Sequence, residues 1–135
     1  MEDVLDWCQG VFDDRWLRFL FKILMLVFGA GAVAYVLDIF GVSGREWTEA
    51  GLVPRIFDIV FFALFALVAA AIAFQNAWAI PLWLATALLQ VLLFTVFADT
   101  FGGSPSRFTD PETLVRTHAV FFFAFAALLI VRRFR

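Results

Sequence analysis

The sequence predicts an all-α integral membrane protein, a four-helix bundle built from two tandem helix–loop–helix repeats behind an N-terminal amphipathic helix. Three observations predict it. The first is composition: 64% of the 135 residues are hydrophobic and 16% are charged, with a mean hydropathy of +0.93, whereas a soluble domain is roughly 45 to 50% apolar and about a quarter charged. The second is an uncharged run of 40 residues, 59–98. As helix that run would reach about 60 Å, twice the roughly 30 Å of bilayer hydrocarbon, so it must cross twice. The third is an internal duplication. Residues 38–55, DIFGVSGREWTEAGLVPR, align without a gap on residues 99–116, DTFGGSPSRFTDPETLVR. Asp38, Phe40, Gly41, Ser43, Thr48 and Arg55 fall on Asp99, Phe101, Gly102, Ser104, Thr109 and Arg116. The register continues to give 11 identities in the 30 positions from 38 to 67. Phe and Ala matches weigh little in so apolar a chain, but the polar and glycine matches mark a repeated unit.

Residues 1–18 place Val4, Leu5, Cys8, Val11, Phe12 and Trp16 at three-to-four-residue spacing, with Glu2, Asp3, Asp6, Asp13 and Asp14 mostly off that stripe. Such a pattern predicts an amphipathic helix lying in the membrane interface. Its acidic face is unusual on lipid, so docking on a partner or on the bundle's own loops is the alternative. The start, Met1-Glu2-Asp3, is acidic where a cleavable signal would be basic, and the first apolar run is expected to be retained.

The transmembrane domain is expected over residues 19–135, with spans at about 19–40, 56–74, 78–98 and 114–131. In the first, Lys22 can snorkel, and Gly29, Ala30, Gly31, Ala32 and Ala34 form a belt that would admit another helix closely. Ala63, Ala66, Ala69, Ala70 and Ala73 mark a packing side on the second. Gln75-Asn76 marks the turn, and Trp78, Pro81 and Trp83 supply interfacial anchors and a helix start. Only 15 uncharged residues separate Arg116 from Arg132 in the fourth, so Arg116 must snorkel or sit in a polar pocket.

Basic residues favour one orientation. Arg15, Arg18, Lys22, Arg132, Arg133 and Arg135 lie on the face holding both termini, against Arg45, Arg55, Arg107 and Arg116 on the other. Six against four places both termini in the cytoplasm, the inner membrane of a bacterium being the expected setting, with both repeated loops outside.

Several functions are set aside. A net charge of -2 without a clustered basic face argues against nucleic acid. Cys8 is the only cysteine, so neither an intrachain disulfide nor a Cys-based metal site can form. One histidine cannot make a bis-histidine haem, no acid sits near a span's midpoint, and no nucleophile elbow or phosphate-binding loop occurs. The chain is therefore expected to be no enzyme and to carry no cofactor.

The polar chemistry gathers at the repeated loops. Asp38 and Asp99 stand at helix C-termini and Arg55 and Arg116 at helix N-termini, where each charge opposes the helix dipole. Pairing Asp38 with Arg55 and Asp99 with Arg116, or in the swapped sense, resolves both conflicts. These pairs are structural clasps or, on a sharper reading, they line an outward-facing polar cavity with Asp58 and His118. Asp58 sits near a helix N-terminus, three residues from Arg55, and a local ion pair accounts for it. His118 is two positions from Arg116, about 200° round a helix, so the two cannot face the same place. Within the bilayer, Thr86 and Gln90 lie one turn apart near Trp83 and could hydrogen-bond another helix or line a groove.

The span pattern, with Arg18-Phe19-Leu20-Phe21-Lys22 and then Asp38-Ile39-Phe40-Gly41, resembles the DoxX-like small membrane proteins, and Trp78-Ala79-Ile80-Pro81-Leu82-Trp83 is similar to a stretch of related families of unknown function. The resemblance implies an accessory subunit of a quinone-coupled sulfur-oxidising system, although this chain has no redox ligand set. The expected function is a non-enzymatic accessory or assembly subunit that packs, in the lipid bilayer, against another membrane protein or its own copies. A small-solute or ion transporter with an outer Asp/Arg entry site, and a quinone-associated subunit of an oxidoreductase, are the alternatives.

Overall fold

The computed structural model describes residues 1–42, 51–96 and 111–135, which form five helices. They are α1 (Glu2–Val11), α2 (Arg15–Ile39), α3 (Leu52–Ala73), α4 (Ala79–Thr95) and α5 (Pro111–Phe134), and no strand occurs among the described residues. Three of them, α2, α3 and α5, are long and apolar enough to cross a membrane. The 17 residues of α4 are equally apolar but reach only about 25 Å. Three such helices point to an integral membrane protein.

Local chemistry sets the ends of these helices. At the start of α2, Asp14 Oδ1 accepts from the backbone N–H groups of Trp16 and Leu17 at 2.9 and 3.2 Å, satisfying two donors with no intrahelical partner. Its other oxygen accepts from Arg135 at 3.4 Å, so residues from both ends of the described chain meet at one cap. At the end of α2, Gly41 takes a φ of 74°. The Gly41 and Val42 N–H groups close onto the Asp38 and Leu37 carbonyls at 3.1 and 3.0 Å, which is a Schellman stop. That explains one glycine of the repeated Phe-Gly pair; its counterpart Gly102 lies outside the described residues. Helix α3 ends in the same way at Gln75, with Asn76 N–H returning to Ala71 at 2.9 Å, and Asn76 Oδ1 then accepts from Trp78 N–H at 2.9 Å.

Packing is closest between α2 and α3. A Cβ on Gly31 would run into the Phe65 ring, so the glycine is what lets the two helices approach. Phe65 is itself wedged between Phe28, at 4.6 Å between ring centroids, and Tyr35, at 5.5 Å. Further contacts, α2 with α5, α3 with α4 and α4 with α5, close the circuit. A second aromatic cluster joins α2, α4 and α5, with Phe21, Trp83 and Phe125 meeting edge to face at 5.5 to 5.7 Å. Phe12 reaches this cluster through Phe21, and Cys8 and Val11 of α1 are buried in the same core. Half of the α1 stripe thus docks on the chain's own helices, while Val4 and Trp7 stay exposed.

The packing side of α3 is built from Phe61, Phe65, Val68 and Ile72. Ala66 and Ala69 flank it half-buried, and Ala63, Ala70 and Ala73 face outward. Large aromatic rings bury more surface than alanine does, so the rings rather than the small residues take the interior. Leu26, Val33, Leu88, Val120 and Phe123 lie among the exposed large hydrophobics, as an outer surface meeting lipid requires.

Candidate functional site

The interior polar site is built on α4. Its inward residues Trp83, Thr86, Gln90 and Phe94 recur at three- and four-residue spacing and therefore share a face. Gln90, 1% exposed, is the hub. Its Nε2 donates to the Tyr35 hydroxyl of α2 at 3.1 Å, and its Oε1 stands 2.8 Å from His118 Nε2 of α5. An amide oxygen only accepts, so the hydrogen of the second contact sits on His118 Nε2. One side chain thereby joins three helices.

A pocket of about 260 Å³ opens beside this junction, between α2 and α5. Ala30, Gly31 and Ala34 of α2 form one wall and Phe65 of α3 lies behind them. Leu114, His118 and Phe121 of α5 form the other wall, and Tyr35 and Gln90 supply polar atoms. The belt of small residues predicted for helix approach has two uses: Gly31 admits Phe65, and the positions beside it leave space.

Two acids lie at the end of the bundle nearest the Gly41 stop. Asp38 follows Tyr35 by one turn and is 2% exposed, and its Oδ2 has no hydrogen-bond partner among the described residues. Asp58 is buried on the inward face of α3, and both carboxylates are near enough to act electrostatically on the Tyr35 hydroxyl. Arg55, half-buried on the first turn of α3, and Asp58 each take part in further interactions. Arg116 is exposed and pairs with Glu112, one turn earlier on α5. Its expected partner Asp99 lies outside the described residues. His118 faces inward while Arg116 faces out, and the two are not brought together. Thr86 is buried one turn from Gln90, and neither its Oγ1 nor Trp83 Nε1 has a hydrogen-bond partner among the described residues. No group of three or more His, Cys, Asp or Glu could hold a metal ion among the described residues.

Sequence reasoning missed Tyr35. It is the only tyrosine in a chain with 19 phenylalanines, and it lies three residues before Asp38 on the same helix face. A single hydroxyl kept where Phe is the default aromatic was the available signal.

Fold and site together define an all-helical integral membrane protein with a polar junction buried beside a mostly apolar pocket. Compared with protein-family models, with curated proteins and with solved structures, the chain matches none.

Proposed function

We propose that this chain is a non-enzymatic accessory or assembly subunit of the bacterial inner membrane, a four-span bundle of two tandem helix–loop–helix repeats with both termini in the cytoplasm. It packs against a partner membrane protein. The observation carrying this reading is the outward side of α3, where Ala63, Ala70 and Ala73 are exposed along the helix with none of the other described helices over them. Lipid offers no hydrophobic drive for helices to associate, so close backbone approach through small residues is the usual means of docking in a bilayer. The span pattern shared with DoxX-like proteins is in keeping with such a role. Affinity purification of the tagged chain from its native membranes tests it. A larger membrane protein is expected in constant ratio, and Ala70→Leu should deplete it. Recovery of the chain alone, unchanged by the substitution, would overturn the assignment.

A second reading is favoured by the two buried acids. Asp38 and Asp58 are ionisable groups within membrane helices, and such groups often mark a path for ions or solutes. Flux through liposomes holding only this chain, abolished by Asp38→Asn, would establish a transporter instead.

A further inference from the structure

The pocket between α2 and α5 exists because Ala30, Gly31 and Ala34 bring almost no side chain to that side of α2. Its surroundings are mostly hydrocarbon and aromatic, and among the described residues lining it there is no Asp, Glu, Lys or Arg. A charged guest would lose its hydration there without compensation, so the site selects a neutral one.

The hydrogen-bond inventory of the junction is incomplete in a specific way. Gln90 Nε2 only donates, so the Tyr35 oxygen accepts and its own O–H hydrogen is still unspent. With the hydrogen on Nε2 committed to Gln90, a neutral His118 ring keeps the Nδ1 lone pair as an acceptor. Thr117, also on the lining, has already given its hydroxyl hydrogen to the Thr113 carbonyl at 2.8 Å. The polar part of the pocket therefore offers one free donor, the Tyr35 hydroxyl, and an acceptor in His118 Nδ1, both held by the same amide, beside the Thr117 oxygen, which can only accept. A hydroxyl group is the smallest function that complements both, since it accepts from one neighbour and donates to another.

We propose that the pocket binds a neutral, lipid-soluble ring compound bearing a hydroxyl group, its ring among Phe28, Phe65 and Phe121 and its hydroxyl between Tyr35 and His118. A ketone or ether of the same shape satisfies Tyr35 alone and leaves Nδ1 unpaired. Binding here does not depend on whether a partner covers α3, because the pocket lies between α2 and α5.

Photolabelling of the full chain in phosphatidylcholine vesicles, with a diazirine-bearing alkylphenol, provides the test. Label should map to pocket residues on both α2 and α5. Competition by 4-butylphenol should be about ten-fold more effective than by its methyl ether, the factor expected from one hydrogen bond. Ala34→Leu fills the space without touching Gln90 and should remove the label, and His118→Phe should erase the preference for phenol over ether, which Tyr35→Phe should leave in place because both competitors lose that donor alike. Label spread over outward residues such as Leu26 and Phe122, and indifferent to Ala34→Leu, would mean that the space holds only bilayer chains and would overturn the proposal. Equal competition by phenol and ether would refute the hydroxyl assignment.

Discussion

Replacing Gln90 with Leu nearly preserves side-chain volume while removing both halves of the polar junction. Hydrogen bonds between membrane helices average about 0.6 kcal/mol and reach about 1.7, so two contribute about 1 to 3 kcal/mol. Abandoned polar groups add about 1 to 3 kcal/mol each when they remain sealed from any partner. Here they are not sealed, because Tyr35 and His118 both border the pocket and can turn into it. Most of that second penalty is therefore relieved, and the expected loss is about 2 kcal/mol. Reversible unfolding by SDS in mixed micelles measures it, and a cycle with Tyr35→Phe isolates one contact. Tyr35→Phe alone should lose about 0.5 to 1 kcal/mol, and the double variant should lose less than the sum of the singles by about 0.6 kcal/mol. Additivity within about 0.3 kcal/mol would refute the reasoning, since the 3.1 Å contact would then contribute nothing.

Two further outcomes are expected at the terminal end of the bundle. The Asp14 carboxyl is held below the usual carboxylate range chiefly by the Leu17 N–H, with help from the Trp16 N–H and from Arg135 and Arg132. Its folded value is the lower of the two, so the cap is fully effective above the unfolded Asp value of about 3.9 and is lost as pH falls through the folded one. Hydrogen exchange at the Trp16 and Leu17 amides should accelerate on that acid side, and Asp14→Asn should make it independent of pH there after the intrinsic rate is removed. Cys8 is 2% exposed, and burial pushes its thiol above the ordinary value. Maleimide labelling at neutral pH should be at least about ten-fold slower in the folded protein than in SDS, because little thiolate forms and little of it is reachable. Equal rates would detach α1 from the core.

The all-helical architecture and the long apolar helices were legible because hydropathy and helix stops are local properties. The Phe40-Gly41 pair and Gln75-Asn76 could be read as ends from the sequence, and both are Schellman stops. Which side of each helix faces inward was harder to read. Where lipid-facing and core-facing surfaces are both apolar, hydrophobic periodicity carries little orientation signal. Alanines on α3 therefore read as its packing side, although Phe61 and Phe65 form that side and Ala63, Ala70 and Ala73 look outward. The polar residues were better guides, since an amide in an apolar helix needs a partner. Thr86, Gln90 and His118 stood out for that reason, but their geometry did not. Gln90 meets Tyr35 across 55 positions of sequence and His118 across 28, and those pairings are set by the order in which helices pack. Residues 43–50 and 97–110, which hold most of both repeated loops, lie outside the described residues, and with them Asp99.

The aromatic cluster on α4 gives the molecule an optical gauge of its own interior. Trp83 is 1% exposed, whereas Trp7, Trp16 and Trp78 are 48%, 49% and 54% exposed. Quenchers dissolved in water or lipid will darken those three first. With Trp47, which lies outside the described residues, replaced by Phe, the emission that survives comes disproportionately from Trp83, edge-on to Phe21 and Phe125, and its colour will shift when α2, α4 and α5 begin to part.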